Sequence, residues 1–247
     1  MSHNITINQN TDSLSQIELD NLLLLYQKGM HKEALSIARQ ISNKFPNHPF
    51  AFKLLGVLYL DKNLIDEALD ANFKAVRLSS QDSEAYNNLG TCLQKSGRLD
   101  ESVESYEKAI LLKPDIPEYH YNLGVSFKLQ GKLDRAISSY QKTILLKPEF
   151  TPAYNNIGNI LLKLDRLEEA KICFKKATIL NPNYTEAFNN LAATLHKMGQ
   201  LTEASENYKK AIELNPQYAQ ALSNLGVTML EMGIIKQAIT YLSKAII

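Results

Sequence analysis

The sequence has no tryptophan, only two cysteines and almost no net charge. Cys92 and Cys173 stand far apart, outside any CxxC pair, so neither a zinc site nor a disulfide framework is indicated. The expected compartment is therefore reducing, and the expected location cytoplasmic. Long apolar runs are missing too. A bilayer span needs roughly 18 to 20 apolar residues in a row, and the stretch from Leu22 to Tyr26 is over in little more than one helical turn. No membrane partner is expected. The first residues, 1–14, rich in Asn, Ser and Thr, read as a polar, flexible leader without the basic and then apolar regions of a secretory signal. Lys and Arg number 27 against 26 Asp and Glu, mixed along the whole chain. Phosphate backbones attract concentrated basic charge, so nucleic acid is not an expected partner. Also missing are a Ser–His–Asp arrangement, a phosphate-cradling glycine loop, and any carboxylate pair that stands apart from the pattern described below. The expectation is no catalytic residue, no metal and no cofactor.

What the sequence does have is 45% apolar residues and a strict period. Pro46, Pro114, Pro148, Pro182 and Pro216 fall on a grid of 34 residues, with Ser80 in the vacant place. Gly56, Gly90, Gly124, Gly158 and Gly226 recur at a second phase, with Ala192 substituting. Ala34, Ala68, Ala136, Ala170, Ala204 and Ala238 recur at a third, with Ser102 as the exception. Such self-similarity is the signature of a repeat architecture. The units run 15–48, 49–82, 83–116, 117–150, 151–184 and 185–218, and a shorter one covers 219–247. The first departs most: Asn21 and Leu22 replace the Leu-Gly pair and Ala38 replaces a large aromatic, as in a degenerate cap.

Within a unit the apolar spacing is helical. Tyr86, Leu89, Gly90 and Leu93 follow the i, i+3, i+4, i+7 pattern of one helix face. Glycine then interrupts, at Gly29, Gly97, Gly131, Gly199 and Gly233, where a tight turn needs backbone freedom. A second periodic stretch follows, opened in several units by an acid (Asp66, Asp100, Asp134, Glu168) able to accept orphan amide hydrogens. Proline closes it. Each unit is thus predicted to be a helical hairpin whose small residues, such as Gly90 and Ala109, let the helices cross closely. A hairpin of this size cannot bury its apolar face alone, so it must stack on its neighbours.

Segments such as Ala85-Tyr-Asn-Asn-Leu-Gly90, Gly97-Arg-Leu-Asp-Glu101 and Tyr208-Lys-Lys-Ala-Ile-Glu-Leu-Asn-Pro216 resemble the tetratricopeptide repeat. The resemblance covers 15–247. It implies an all-α fold, a right-handed superhelical solenoid of antiparallel helix hairpins. Its first helices would line a concave groove that holds an extended peptide or partner segment. The function implied is that of a non-catalytic scaffold for protein–protein interaction.

On the groove side, the sixth residue of five successive units is Asn: Asn88, Asn122, Asn156, Asn190 and Asn224. An amide offers two donors and an acceptor, so such a row can grip a peptide backbone regardless of side chains. It is similar to the asparagine ladder of O-linked N-acetylglucosamine transferases. That likeness opens an alternative, in which the array is the substrate-recognition region of a larger enzyme whose catalytic domain lies outside this chain. The Hsp70/Hsp90 carboxylate clamp is not expected: it needs Lys and Arg on the first helices, and Glu84, Glu118, Pro152 and Glu186 stand there instead. The lysines Lys74, Lys108, Lys142, Lys176, Lys210 and Lys244 read as a solvated stripe, and His120 as a packed core histidine. At the C-terminus the chain stops inside a second helix at Ala245-Ile246-Ile247, which reads as a truncated array able to self-associate through an uncapped end.

Overall fold

The computed structural model describes residues 16–245. The polar leader and the terminal Ile246 and Ile247 lie outside the described residues. Among those described there are fourteen helices and no strand: α1 (Gln16–Gln27), α2 (His31–Lys44), α3 (Pro49–Asp61), α4 (Ile65–Leu78), α5 (Ser83–Lys95), α6 (Leu99–Leu112), α7 (Pro117–Leu129), α8 (Leu133–Leu146), α9 (Thr151–Lys163), α10 (Leu167–Leu180), α11 (Thr185–Lys197), α12 (Leu201–Leu214), α13 (Ala219–Glu231) and α14 (Ile235–Ala245). The fold is the expected all-α solenoid of helix hairpins. It divides into two compact units, the first ending at Gln130 and the second beginning at Gly131. Within each, every helix packs on the next. The first helices also touch one another, α3 with α5 and α5 with α7 in the first unit, α9 with α11 and α11 with α13 in the second. Within each unit second helices make no comparable contact among the described residues, and open grooves lie between α2 and α4 in the first unit and between α8 and α10 in the second.

The turns inside the hairpins share one geometry. In the turn after α5, Gly97 has φ +79° and the Arg98 N–H reaches back to the Leu93 carbonyl at 2.9 Å, the bond that closes a helix on a left-handed residue. The two places on the grid without glycine are filled by Asn63 and Asp165, both at φ 58°. These are the side chains that enter the left-handed region most readily after glycine. The Arg166 N–H repeats the same bond to Leu161 at 2.9 Å.

One expectation needs correction. Asp66, Asp100, Asp134 and Glu168 do not cap their helices. The capping positions belong to Leu64, Arg98, Lys132 and Arg166, none of which makes a side-chain cap bond. The short left-handed turn leaves a single residue before the helix, so each acid falls inside the first turn, where it faces the positive end of the helix dipole. Asp82 is a true cap, its Oδ1 accepting from the Glu84 and Ala85 amides at 3.0 and 3.1 Å.

The core is a row of helix crossings at which a small residue meets a large one. A Cβ on Gly90 would lie 2.8 Å from the Tyr106 ring, and one on Gly158 2.7 Å from the Phe174 ring. Ser102, the exception in the alanine column, is buried. Its hydroxyl donates to the Gly90 carbonyl at 2.8 Å and meets the Ser126 hydroxyl at 3.0 Å. The first hairpin reverses the arrangement: Leu22 stands at the glycine phase and Ala38 at the aromatic phase, both at 0% exposure in one core cluster. What looks degenerate residue by residue is a compensating exchange, with the bulk moved from the second helix to the first.

Copying that exchange into the third hairpin tests the pairing. Gly90→Leu should cost about 1–3 kcal/mol by overpacking and Tyr106→Ala about 3–5 kcal/mol by leaving a cavity. In urea melts the double variant should lose at least about 1 kcal/mol less than the sum; strictly additive losses would refute the pairing.

Candidate functional site

The asparagine row lies on the first helices, Asn88 and Asn122 on α5 and α7 in the first unit, Asn156, Asn190 and Asn224 on α9, α11 and α13 in the second. The row does not simply face solvent. Asn122 Nδ2 donates to Asn87 Oδ1 at 2.9 Å. Asn190 Nδ2 donates to both Asn155 Oδ1 and Asn159 Oδ1 at 3.1 Å, and its own Oδ1 accepts from Asn189 Nδ2 at 3.3 Å. Asn224 bonds the hydroxyl of Tyr208 on α12, whose burial pushes the phenol up to about 12. Asn156 is buried, and Asn88 is half-buried with no such bond among the described residues.

The amides of Asn122 and Asn190 therefore brace one hairpin to the preceding one. Their partners, Asn87, Asn155, Asn159 and Asn189, sit in columns that drift along the sequence, which is why reading the columns singly missed them. The signal was present diagonally, as Asn pairs separated by 35 and 31 residues. In the second unit Asn155, Asn159, Asn189 and Asn190 form one hydrogen-bonded polar constellation. Asn189 is 1% exposed, and its Oδ1 has no hydrogen-bond partner. A buried amide oxygen left unmet costs on the order of 1–3 kcal/mol.

The remaining candidates fall into place around this face. Glu84, Glu118 and Glu186 are exposed, and Lys53 on α3 is held by Asp82 at 3.1 Å and Glu84 at 2.6 Å. His120 is buried, and its Nε2 donates to the Pro114 carbonyl at 2.8 Å. His196 on α11 has Glu231 at 3.1 Å, a neighbour the sequence did not suggest. Among the described residues no group of three or more His, Cys, Asp or Glu could hold a metal ion, and no helix is long and apolar enough to cross a membrane. Of the lysine column, Lys74 lies over the Phe52 ring, Lys210 pairs with Glu213 at 3.1 Å, and Lys142 and Lys176 are exposed.

Comparison with known proteins places these features in context. A family model described as TPR repeat matches residues 93–131 and 194–233, and two described as tetratricopeptide repeat match 117–150, 151–184 and 173–204. No curated protein sequence matches the chain. Among solved structures, YrrB, described as a TPR protein with an unusual peptide-binding site, is 27% identical at a TM-score of 0.60, covering 72% of this chain and 92% of its own. MamA is 26% identical at 0.60, covering 64% and 92%. PilF of Pseudomonas aeruginosa shares the fold at 22% identity and a TM-score of 0.71, covering 78% and 88%.

If Asn190 braces α11 to α9, Asn190→Ala should destabilise the chain by about 1–3 kcal/mol, because it strands the buried amide oxygen of Asn155 and removes the bond to the half-buried Asn159. Asn88→Ala should stay within about 0.5 kcal/mol of the parent. Urea denaturation compares them, and equal effects would deny the bracing role.

Proposed function

Residues 93–233 are tetratricopeptide repeats, and from this premise we propose that the chain is a non-catalytic scaffold binding an extended peptide or partner segment along its first-helix faces. The observation that carries this reading is the constellation of Asn155, Asn159, Asn189 and Asn190. Apolar side chains in those places would give a more stable stack, since a buried polar cluster with an unmet acceptor is a net cost. Asn159 is half-buried and uses its Oδ1 for Asn190, and its Nδ2, without a partner among the described residues, can meet a carbonyl of a guest backbone. Asn88 and Asn87 offer the equivalent donors in the first unit. The asparagines Asn88, Asn122, Asn156, Asn190 and Asn224 are thus assigned as the binding row, with the drifting asparagines beside them as the groups that reach the guest.

YrrB, the relative described as carrying a peptide-binding site, supports a peptide as the ligand class. The two free cysteines, Cys92 buried and Cys173 half-buried, suit action in the cytoplasm. The reading of the chain as the recognition arm of a transferase rests on the asparagine row alone, and the scaffold reading is preferred.

Selection of binders from a random peptide display library, followed by calorimetric titration of the whole chain, tests this. Asn159→Ala should weaken a selected peptide up to about tenfold, the value of one lost hydrogen bond, with helicity unchanged. A library yielding no binder, or an affinity indifferent to Asn159→Ala, would reject the assignment.

A further inference from the structure

The grooves between successive second helices form a surface separate from the asparagine rows, and two of them can be compared at matching positions. In the first unit the groove between α2 and α4, floored by Phe52, Leu55 and Tyr59 of α3, is charged. Arg39 donates to the Tyr59 hydroxyl at 3.0 Å, Lys74 stands 4.2 Å from the centre of the Phe52 ring, and Glu67 and Asp70 line the wall. Three repeats on, in the second unit, the same groove runs between α8 and α10 above Tyr154, Ile157 and Leu161 of α9. Here Gln141 replaces Arg39, Ile144 replaces Ser42, Leu161 replaces Tyr59 and Ile172 replaces Asp70. The trough has become predominantly aliphatic, with Arg166 and Glu169 the charged residues left in its lining.

Nothing in the fold demands that change. Ile172 is 66% exposed, and Ile179, on the same helical stripe two turns later, is 63% exposed. Large aliphatics gathered around an open apolar groove mark an interaction site more often than isolated ones do. The charges at its edge are unbalanced. Glu169 is held by Arg166 at 2.7 Å and Glu168 by Lys171 at 3.3 Å. One turn further along α10, Lys175 and Lys176 are exposed and have no acid partner among the described residues. Lys176 occupies the position from which Lys74 lines the matching groove of the first unit. The volume is about 270 Å³, below the roughly 300–1,000 Å³ of sites that take drug-sized ligands. That leaves room for a few side chains of a ligand that lies across the groove.

We propose that the groove between α8 and α10 docks a short amphipathic peptide segment whose aliphatic side chains seat between Ile144 and Ile172 and whose following acidic residue meets Lys175 and Lys176. The positive rim selects an acidic partner, and the aliphatic walls supply the affinity through buried apolar area. Cys173, half-buried in the wall, reports on occupancy. Burial, reinforced by the Glu169 charge, pushes its thiol up to about 11, so it alkylates slowly and only where reagent can reach it. Cys92 is fully buried and stays silent.

The test uses the whole chain and a fluorescein-labelled helical probe of about four turns (~14 residues), with leucines spaced i, i+4, i+7 and glutamates following them. An isomer carries lysine in place of each glutamate. Fluorescence polarisation should show saturable binding of the acidic probe, at least about tenfold weaker for the lysine isomer and for Ile172→Glu, a change at an exposed position. Saturating probe should slow alkylation of Cys173 by N-ethylmaleimide at pH 9. Asn159→Ala should bind the probe like the parent, which separates this site from the first-helix face. The proposal is overturned if no saturable binding occurs, if both probes bind alike, if Ile172→Glu is without effect, or if Cys173 stays unprotected. It is equally overturned if the parent sediments as a dimer that Ile172→Glu dissolves, or if it binds phosphatidylserine vesicles and not the probe.

Discussion

Two helices joined through a single left-handed residue can lie close together only where one of them gives up side-chain bulk, and the rest of this molecule is arranged around that constraint. Glycine on the first helix lets the ring of Tyr106 or Phe174 reach the backbone across the hairpin. That contact sets the crossing, and the crossing sets which residues each hairpin offers to the next. The constraint concerns the pair and is indifferent to the order of its members. The first hairpin shows this, because Leu22 and Ala38 fill the same space from opposite sides. Packing at near-crystalline density leaves no other route to a close approach.

Stacking then produces two different surfaces. On the first-helix side the helices touch, and the interval between hairpins is bridged by asparagine amides. The same amides stiffen the stack and display hydrogen-bonding capacity, so bracing and binding draw on one set of groups. On the other side the second helices stand apart, and the grooves between them are free to vary without disturbing the crossings. That freedom lets one groove be charged around Arg39 and Asp70 while its counterpart is aliphatic around Ile144 and Ile172.

The hairpins were legible because their signals are local. Glycine, alanine and proline recur at fixed phases, and helical spacing connects them. The turns at Asn63 and Asp165 left no glycine to read, although the grid points to those two positions and both side chains tolerate the left-handed region. The acids at Asp66, Asp100, Asp134 and Glu168 stand two residues inside the true capping positions, because the brevity of the turn is a backbone property. The asparagine braces were hidden for another reason: each joins different columns of successive repeats, and a hydrogen bond between Asn190 and Asn155 depends on the offset between stacked hairpins. The aliphatic groove was invisible in the same way, since α8, α9 and α10 each contribute only part of it.

The whole account rests on the claim that no hairpin here is stable by itself. Isolated helices shorter than about 12–15 residues are marginal in water, and α11 and α12 fall at that limit. Circular dichroism of the excised hairpin 185–218 puts the claim to its most direct test. The account predicts a largely disordered peptide that melts without cooperativity. A lone hairpin that is fully helical and unfolds in a sharp transition would contradict it.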